Sequence, residues 1–285
     1  MILGEKKVCL PLIYSILLII SLFIMVISTA SAVNFNVRSN LVKAANIRKS
    51  GDYTFSQCRA LRKKPFDAQS TKKKILIIGD SQSCDFINGI VENNFLKNYQ
   101  ISMRFIPYKC QTIVGDSSPY YIKPQDRKIC ENPVHADSLE RSMGVIQQAD
   151  LVIYVARWKP EIAKRLSQSI EQFALGKNQK MIVIGSKFFG KISIKRYLHM
   201  EDKELITLRN DVGTVSKDIN DILESGLDKG VEFIDQHELI CVDSTTCPVF
   251  TNDLRLISYD GRHLTKEGAR YVGKVLFQKS GLGHM

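Results

Sequence analysis

The stretch Lys74-Ile-Leu-Ile-Ile-Gly-Asp-Ser81, running on into Gln82-Ser-Cys-Asp-Phe86, constrains this chain more than any other. Four consecutive apolar residues, three of them β-branched, predict a short strand buried on both faces, the usual form in a parallel sheet. Gly79 permits a sharp turn, and from Ser83 onward Phe86, Ile87, Ile90, Val91 and Phe95 recur on one helical face. A strand that turns directly into a helix puts Ser81 at the carboxyl end of the strand and the N-terminus of the helix. Open α/β sheets bind their ligands there, with backbone N–H groups free to meet negative charge. Taken alone, these residues equally describe a strand, a turn and an N-capping serine.

The pattern continues. Ile101–Ile106 reads as a second strand ending at Pro107, and residues 107 to 136 form a long irregular loop of the kind that is often functional. Leu139 to Gln148 predicts a helix, and Asp150–Ala156 a third buried strand. Pro160 opens a helix with Ile162, Leu166, Ile170 and Phe173 on one stripe, closed by Gly176. Met181–Gly185 is a fourth strand. Residues 201 to 225 are helical in pattern, Val231–Ile234 is a fifth strand, and a last helix begins at Thr265. This alternation predicts an α/β three-layer sandwich with a five-stranded parallel sheet. Right-handed crossovers then bring Ser81, Arg157 and Ser186, each just beyond a strand, to one rim.

At the N-terminus, Glu5-Lys-Lys7 precedes an uncharged run from Val8 to about Val33, long enough to span a bilayer as one helix. The lysines stay cytoplasmic and the remainder is exported. Ala30-Ser-Ala32 leaves open cleavage as a signal peptide, but the length of the run favours a retained anchor. The expected organisation is therefore a membrane anchor over 1–33, a basic stalk over 34–72 that docks through Cys58, and a catalytic domain over 73–285. Outside the anchor lie six cysteines. In an oxidising compartment they predict disulfides rather than a zinc site, whose spacings they do not match. Cys241–Cys247 and Cys110–Cys130 close local loops, which leaves Cys58–Cys84 by elimination. The net charge of +11 is spread along the chain and comes with no aromatic-basic motif, so it reads as a solvated basic face rather than a nucleic-acid surface.

A serine hydroxyl needs a base to act as a nucleophile, usually a histidine oriented by a carboxylate. Of the five histidines, His284 is terminal, His199 lies in a polar connection, His135 in the long loop and His237 after the fifth strand. The fifth, His263, stands three residues after Asp260 in Ser258-Tyr-Asp-Gly-Arg-His-Leu-Thr265. Within that one turn the carboxylate can reach Nδ1 while Nε2 faces a substrate. The chain also repeats Gly-Asp-Ser at Gly115-Asp-Ser117, but with neither a buried strand before it nor a helix behind.

Gly79-Asp-Ser81 and Asp260-Gly-Arg-His263 together resemble the SGNH (GDSL-type) hydrolase superfamily, over roughly residues 72 to 280. The likeness is strongest to SGNH domains attached to membrane acyltransferases that O-acylate envelope glycans. It is carried by Asp150-Leu-Val-Ile-Tyr-Val-Ala-Arg-Trp158, by the Cys241 and Cys247 pair, and by Tyr259 to Ala269. The resemblance implies a flavodoxin-like SGNH fold with Ser81 as nucleophile, His263 as general base, Asp260 as its orienter and the Ser81 N–H in the oxyanion hole. It implies no cofactor or metal. The superfamily's Gly-x-Asn-Asp block is missing: the matching strand ends Ala156-Arg157-Trp158. Arg157 is thus either a replacement oxyanion donor or a structural ion-pair partner. The expected function is a periplasmic, inner-membrane-anchored O-acyl esterase or acyltransferase for acetyl groups on envelope polysaccharide. A transferase of this kind would need a multi-pass membrane acyltransferase as partner. The alternative is a non-catalytic glycan-binding scaffold on a decayed SGNH frame.

Overall fold

A computed structural model describes residues 36–116 and 120–285. The expected anchor, and Ser117 of the second Gly-Asp-Ser, lie outside them. Among the described residues no helix is long and apolar enough to cross a membrane.

Two helices come first, α1 (Val37–Ala44) and α2 (Ile47–Leu61), followed by β1 (Lys74–Gly79), α3 (Ser81–Glu92) and β2 (Gln100–Phe105). The chain continues through α4 (Leu139–Ile146), β3 (Leu151–Val155), α5 (Leu166–Glu171) and β4 (Lys180–Ile184). Next come α6 (Asp202–Thr207), β5 (Arg209–Asp211), α7 (Val215–Gly226) and β6 (Val231–Ile234). It closes with α8 (Gln236–Cys241), β7 (Thr246–Pro248) and α9 (Lys266–Lys279).

Five strands make one parallel sheet in the order β2-β1-β3-β4-β6, and β5 pairs antiparallel with β7 apart from it. This is the flavodoxin-like order, and its direction reverses between β1 and β3, where open sheets form their ligand crevice. The two faces of the sheet carry separate cores. Ile75, Ile77, Ile153, Val155, Ile182 and Ile184 pack with α3 and α9, while Leu76, Ile78, Val152, Tyr154, Met181 and Val183 pack with α4, α5 and α7. Strands covered on both sides have no polar face, which is why they read as unbroken apolar runs.

Three expectations need correction. The 34–72 segment is not a plain stalk: Val37–Ala44 and Ile47–Leu61 are helical, and α2 buries Thr54 and Cys58 against the domain. The helix expected over 201–225 is broken between α6 and α7, because Arg209–Asp211 pairs with Thr246–Pro248. The Pro160 helix is also interrupted: Pro160–Ala163 is one turn, and Leu166 starts the next helix after Arg165. Ile162, Leu166, Ile170 and Phe173 nevertheless all point into the core.

The disulfides are Cys58–Cys84, Cys110–Cys130 and Cys241–Cys247, the pairing that loop closure and elimination predict.

Candidate active site

The site begins at Gly79. Its φ is +151°, and a Cβ there would lie 1.7 Å from the Val155 carbonyl oxygen, so only glycine lets β1 approach β3 so closely. Asp80 then caps α3. Its carboxylate accepts from the Gln82 N–H at 2.9 Å and from the Arg157 N–H at 3.1 and 3.2 Å, tying the ends of β1 and β3 together. Burial pushes the Asp80 carboxyl up to about 6, against the lowering effect of those hydrogen bonds and of the Lys187 and His263 charges. Ser81 occupies the first position of α3 and is partly exposed. First-turn N–H groups have no partner within their own helix and face outward, with the positive end of the helix dipole behind them.

Asp260 and His263 meet as their spacing predicts. His263 Nδ1 lies 2.7 Å from Asp260 Oδ2, and Asp260 Oδ1 accepts from the backbone N–H groups of Arg262 and His263, each at 2.8 Å. Burial acts to lower the imidazole pKa, but the Asp260 hydrogen bond and the charges of Asp85 and Asp260 outweigh it and hold the ring above its ordinary value. Burial likewise acts to raise Asp260, and the His263 hydrogen bonds bring it below the usual carboxylate range. The turn braces itself: Ser258 Oγ donates to the His263 carbonyl at 2.7 Å and accepts from the Gly261 N–H at 2.9 Å. Gly261 has φ +88°, and a Cβ on it would strike the Gly190 carbonyl oxygen at 2.1 Å.

The turn is fastened to the serine helix by residues the sequence reading passed over. Asp85, one turn after Ser81, accepts from the Leu264 N–H at 3.1 Å and pairs with Lys187 Nζ at 2.8 Å. Both side chains are 1% exposed. Lys187 Nζ also donates to the Arg262 carbonyl at 3.2 Å. Gln82 holds the backbone of Lys187 from both sides, its Nε2 donating to the carbonyl at 2.9 Å and its Oε1 accepting from the N–H at 3.2 Å. The His263 ring is flanked by Tyr259, stacked at 5.8 Å, and by Phe55 of α2 at 6.3 Å. Tyr259 Oη is in turn hydrogen-bonded to buried Thr54 at 3.1 Å. Neither residue stands out in the sequence, since each gains its role only from the other, 102 residues away.

Asp260 and His263 are thus in direct contact, and Ser81 joins them through α3 and Asp85. Among the described residues Ser81 Oγ takes part in no hydrogen bond, so its link to the imidazole is one of placement. Arg157 stands at the end of β3 with its guanidinium over the Tyr108 ring at 4.6 Å, and no carboxylate among the described residues pairs with it. That disfavours the structural ion-pair reading. Its carbonyl accepts from Gln111 Nε2 at 2.8 Å. Ser186 serves the scaffold: its Oγ accepts from the Trp158 N–H at 2.9 Å, and Asn220 holds its backbone. His237 is buried beside Cys241, away from this turn. Gly115 and Asp116 lie in an irregular loop. Among the described residues no cluster of three or more His, Cys, Asp and Glu is gathered as metal ligands would be.

No curated protein matches the chain. A solved structure from Streptococcus pneumonia, provisionally assigned as a platelet activating factor, aligns at 13% identity and a TM-score of 0.40, covering 81% of this chain and 92% of its own. The family model described as "SGNH domain (fused to AT3 domains)" matches residues 46–278, taking in α2 as well as the sheet. Such a domain implies esterase- or acyltransferase-like chemistry. With the match spanning most of its length, the chain belongs to the SGNH family.

Proposed function

We propose that this protein is a serine-dependent O-acyl esterase or acyltransferase acting on acetylated cell-envelope polysaccharide. The observation that carries the reading is the 2.7 Å Asp260–His263 contact at Nδ1, on a turn that Asp85 fastens one helical turn from Ser81. With Nδ1 engaged, Nε2 of the neutral ring is the free base. His263 takes the Ser81 proton as Oγ attacks the acyl carbonyl. The ester bond to the sugar then breaks, and the imidazolium returns the proton to the departing sugar hydroxyl. Water cleaving the acyl-serine gives an esterase, and an incoming sugar hydroxyl gives a transferase. The tetrahedral oxyanion is met by the Ser81 N–H and the Arg157 guanidinium. A donor aimed at such charge contributes about 3 kcal/mol in a dry site.

Residues 1–33 anchor the domain in the inner membrane with the site on the periplasmic side. Release of the full chain from membranes by carbonate washing would refute this. One apolar segment cannot carry an acyl donor across the bilayer, so transfer requires a multi-pass membrane acyltransferase. Acetyl transfer to glycan by the purified chain alone would remove that partner. The direct test of the chemistry is hydrolysis of p-nitrophenyl acetate by the full chain, with His263→Ala reducing kcat/KM at least ~100-fold. An undiminished rate in that variant contradicts the reading.

A further inference from the structure

Residues Phe55, Cys58 and Arg59 of α2, with Arg62 at its C-terminal cap, recur at helical spacing, but the stripe carries two arginines, unlike a core-facing one. They line a cavity of about 280 Å³ with Phe105, Val134 and His135. Its position is tied to the candidate site on three sides. Phe105 ends β2 directly opposite Gly79, Cys58 is bonded to Cys84 of α3, and Phe55 touches the His263 ring. Phe55 and Phe105 meet edge to face at 6.1 Å, making an aromatic lining.

The charges around this cavity do not balance. Asp137, 3% exposed, is the acidic partner there, and both Arg62 Nε and Lys63 Nζ lie 3.2 Å from its carboxylate. Arg62 is further committed to the loop wall, donating to the carbonyls of Val134 at 2.7 Å and Pro133 at 3.3 Å. Arg59 is exposed, and among the described residues it has no carboxylate partner. Arg62 and Lys63 are therefore answered by Asp137, whereas Arg59, which also lines the cavity, has no carboxylate partner among the described residues.

We propose that this cavity holds an acidic sugar residue of the substrate, with its carboxylate on Arg59 and its C–H face on Phe55. The cavity lies at the small end of ligand pockets, which begin at about 300 Å³. That is room for one ring rather than a length of polymer. The electron-rich faces of aromatic rings attract polarised C–H bonds, and a guanidinium fork fits a carboxylate with two parallel hydrogen bonds. An apolar acyl chain would use the rings but leave the arginine unanswered. The proposal rests on the polysaccharide reading above, and it adds that the sugar beside the reacting ester is a uronic or otherwise carboxylated one.

The test is binding, measured apart from turnover. Tri-galacturonate and neutral galactotriose are titrated calorimetrically into the full chain at physiological ionic strength. The acidic trimer binds wild type at least ~10-fold more tightly, the size expected of one charge-assisted hydrogen bond. Arg59→Gln erases the preference. Lys180→Gln, which removes the same charge from the exposed start of β4, keeps it. Equal affinity for the two trimers in wild type overturns the proposal. So does a preference that survives Arg59→Gln, or one that Lys180→Gln removes equally. Because no ester is cleaved, a failed hydrolysis assay with a retained preference removes the esterase reading and leaves the sugar site standing.

Discussion

At the scale of single residues, the Asp-x-x-His pair was legible because its geometry is local: three residues in one turn fix which atoms meet. Its support was not legible, because Asp85 gains meaning only from Lys187, far along the chain. The raised His263 pKa gives a prediction with a definite sign. The base form is neutral imidazole, so a pKa held above the ordinary 6.5 delays its appearance, and kcat/KM for an acetyl ester climbs through an ionisation above that pH. Asp260→Asn removes a hydrogen bond and a charge that favour the cation, so the limb shifts to lower pH while the rate falls. A pH–rate profile with an unmoved limb would contradict the pairing. Asp85 and Lys187 make the second residue-level case. Lys187→Met leaves a carboxylate buried without its cation, a change that costs about 3–5 kcal/mol. Chemical denaturation should show that loss, with much of it recovered in Asp85→Leu/Lys187→Met, since both charges are then gone. Equal losses in the single and double variants would mean that the pair is not coupled.

At the scale of elements, three of the five sheet strands, β1, β3 and β4, announced themselves as β-branched apolar runs, and β1 with its turn was readable to the residue. Elements held by tertiary partners were not. α2 was missed as a packed helix because its docking surface is narrow, with Thr54 and Cys58 buried among polar neighbours. What fixes it is a hydroxyl contact to Tyr259 and a bridge to Cys84. The 201–225 region kept a helical pattern across a break that exists only because β7 offers Arg209–Asp211 a partner. The role of α2 can be measured. Cys58–Cys84 spans 26 residues, and closing such a loop stabilises the fold by about 3 kcal/mol in the chain-entropy model. Cys58→Ser/Cys84→Ser should lower the denaturation midpoint accordingly and slow ester hydrolysis, because Phe55 and Thr54 no longer steady the His263 turn. Unchanged stability and rate would make the bridge incidental to the site.

At the scale of the whole molecule, a parallel sheet with right-handed crossovers gathers the strand ends on one rim, and the sequence carried that much. The strand order came only with the resemblance, which implied a flavodoxin-like fold. The order places the β1 and β3 ends at the switch point, where Asp80 ties Ser81 to the strand that delivers Arg157. Buried polar groups finish the assembly: Gln82, Asp85, Lys187, Ser186 and Asn220 hold the rim loops to one another across the top of the sheet. The missing asparagine of the Gly-x-Asn-Asp block was visible in sequence, whereas the lack of a carboxylate partner for Arg157 among the described residues was visible only in three dimensions. The central claim is that this rim carries an activated serine. Reaction of the full chain with a fluorophosphonate probe, followed by peptide mapping, tests it most directly. The expected result is a single adduct on Ser81, absent from Ser81→Ala and much slowed in His263→Ala. No adduct on the wild type, or an equal one on Ser81→Ala, would contradict it.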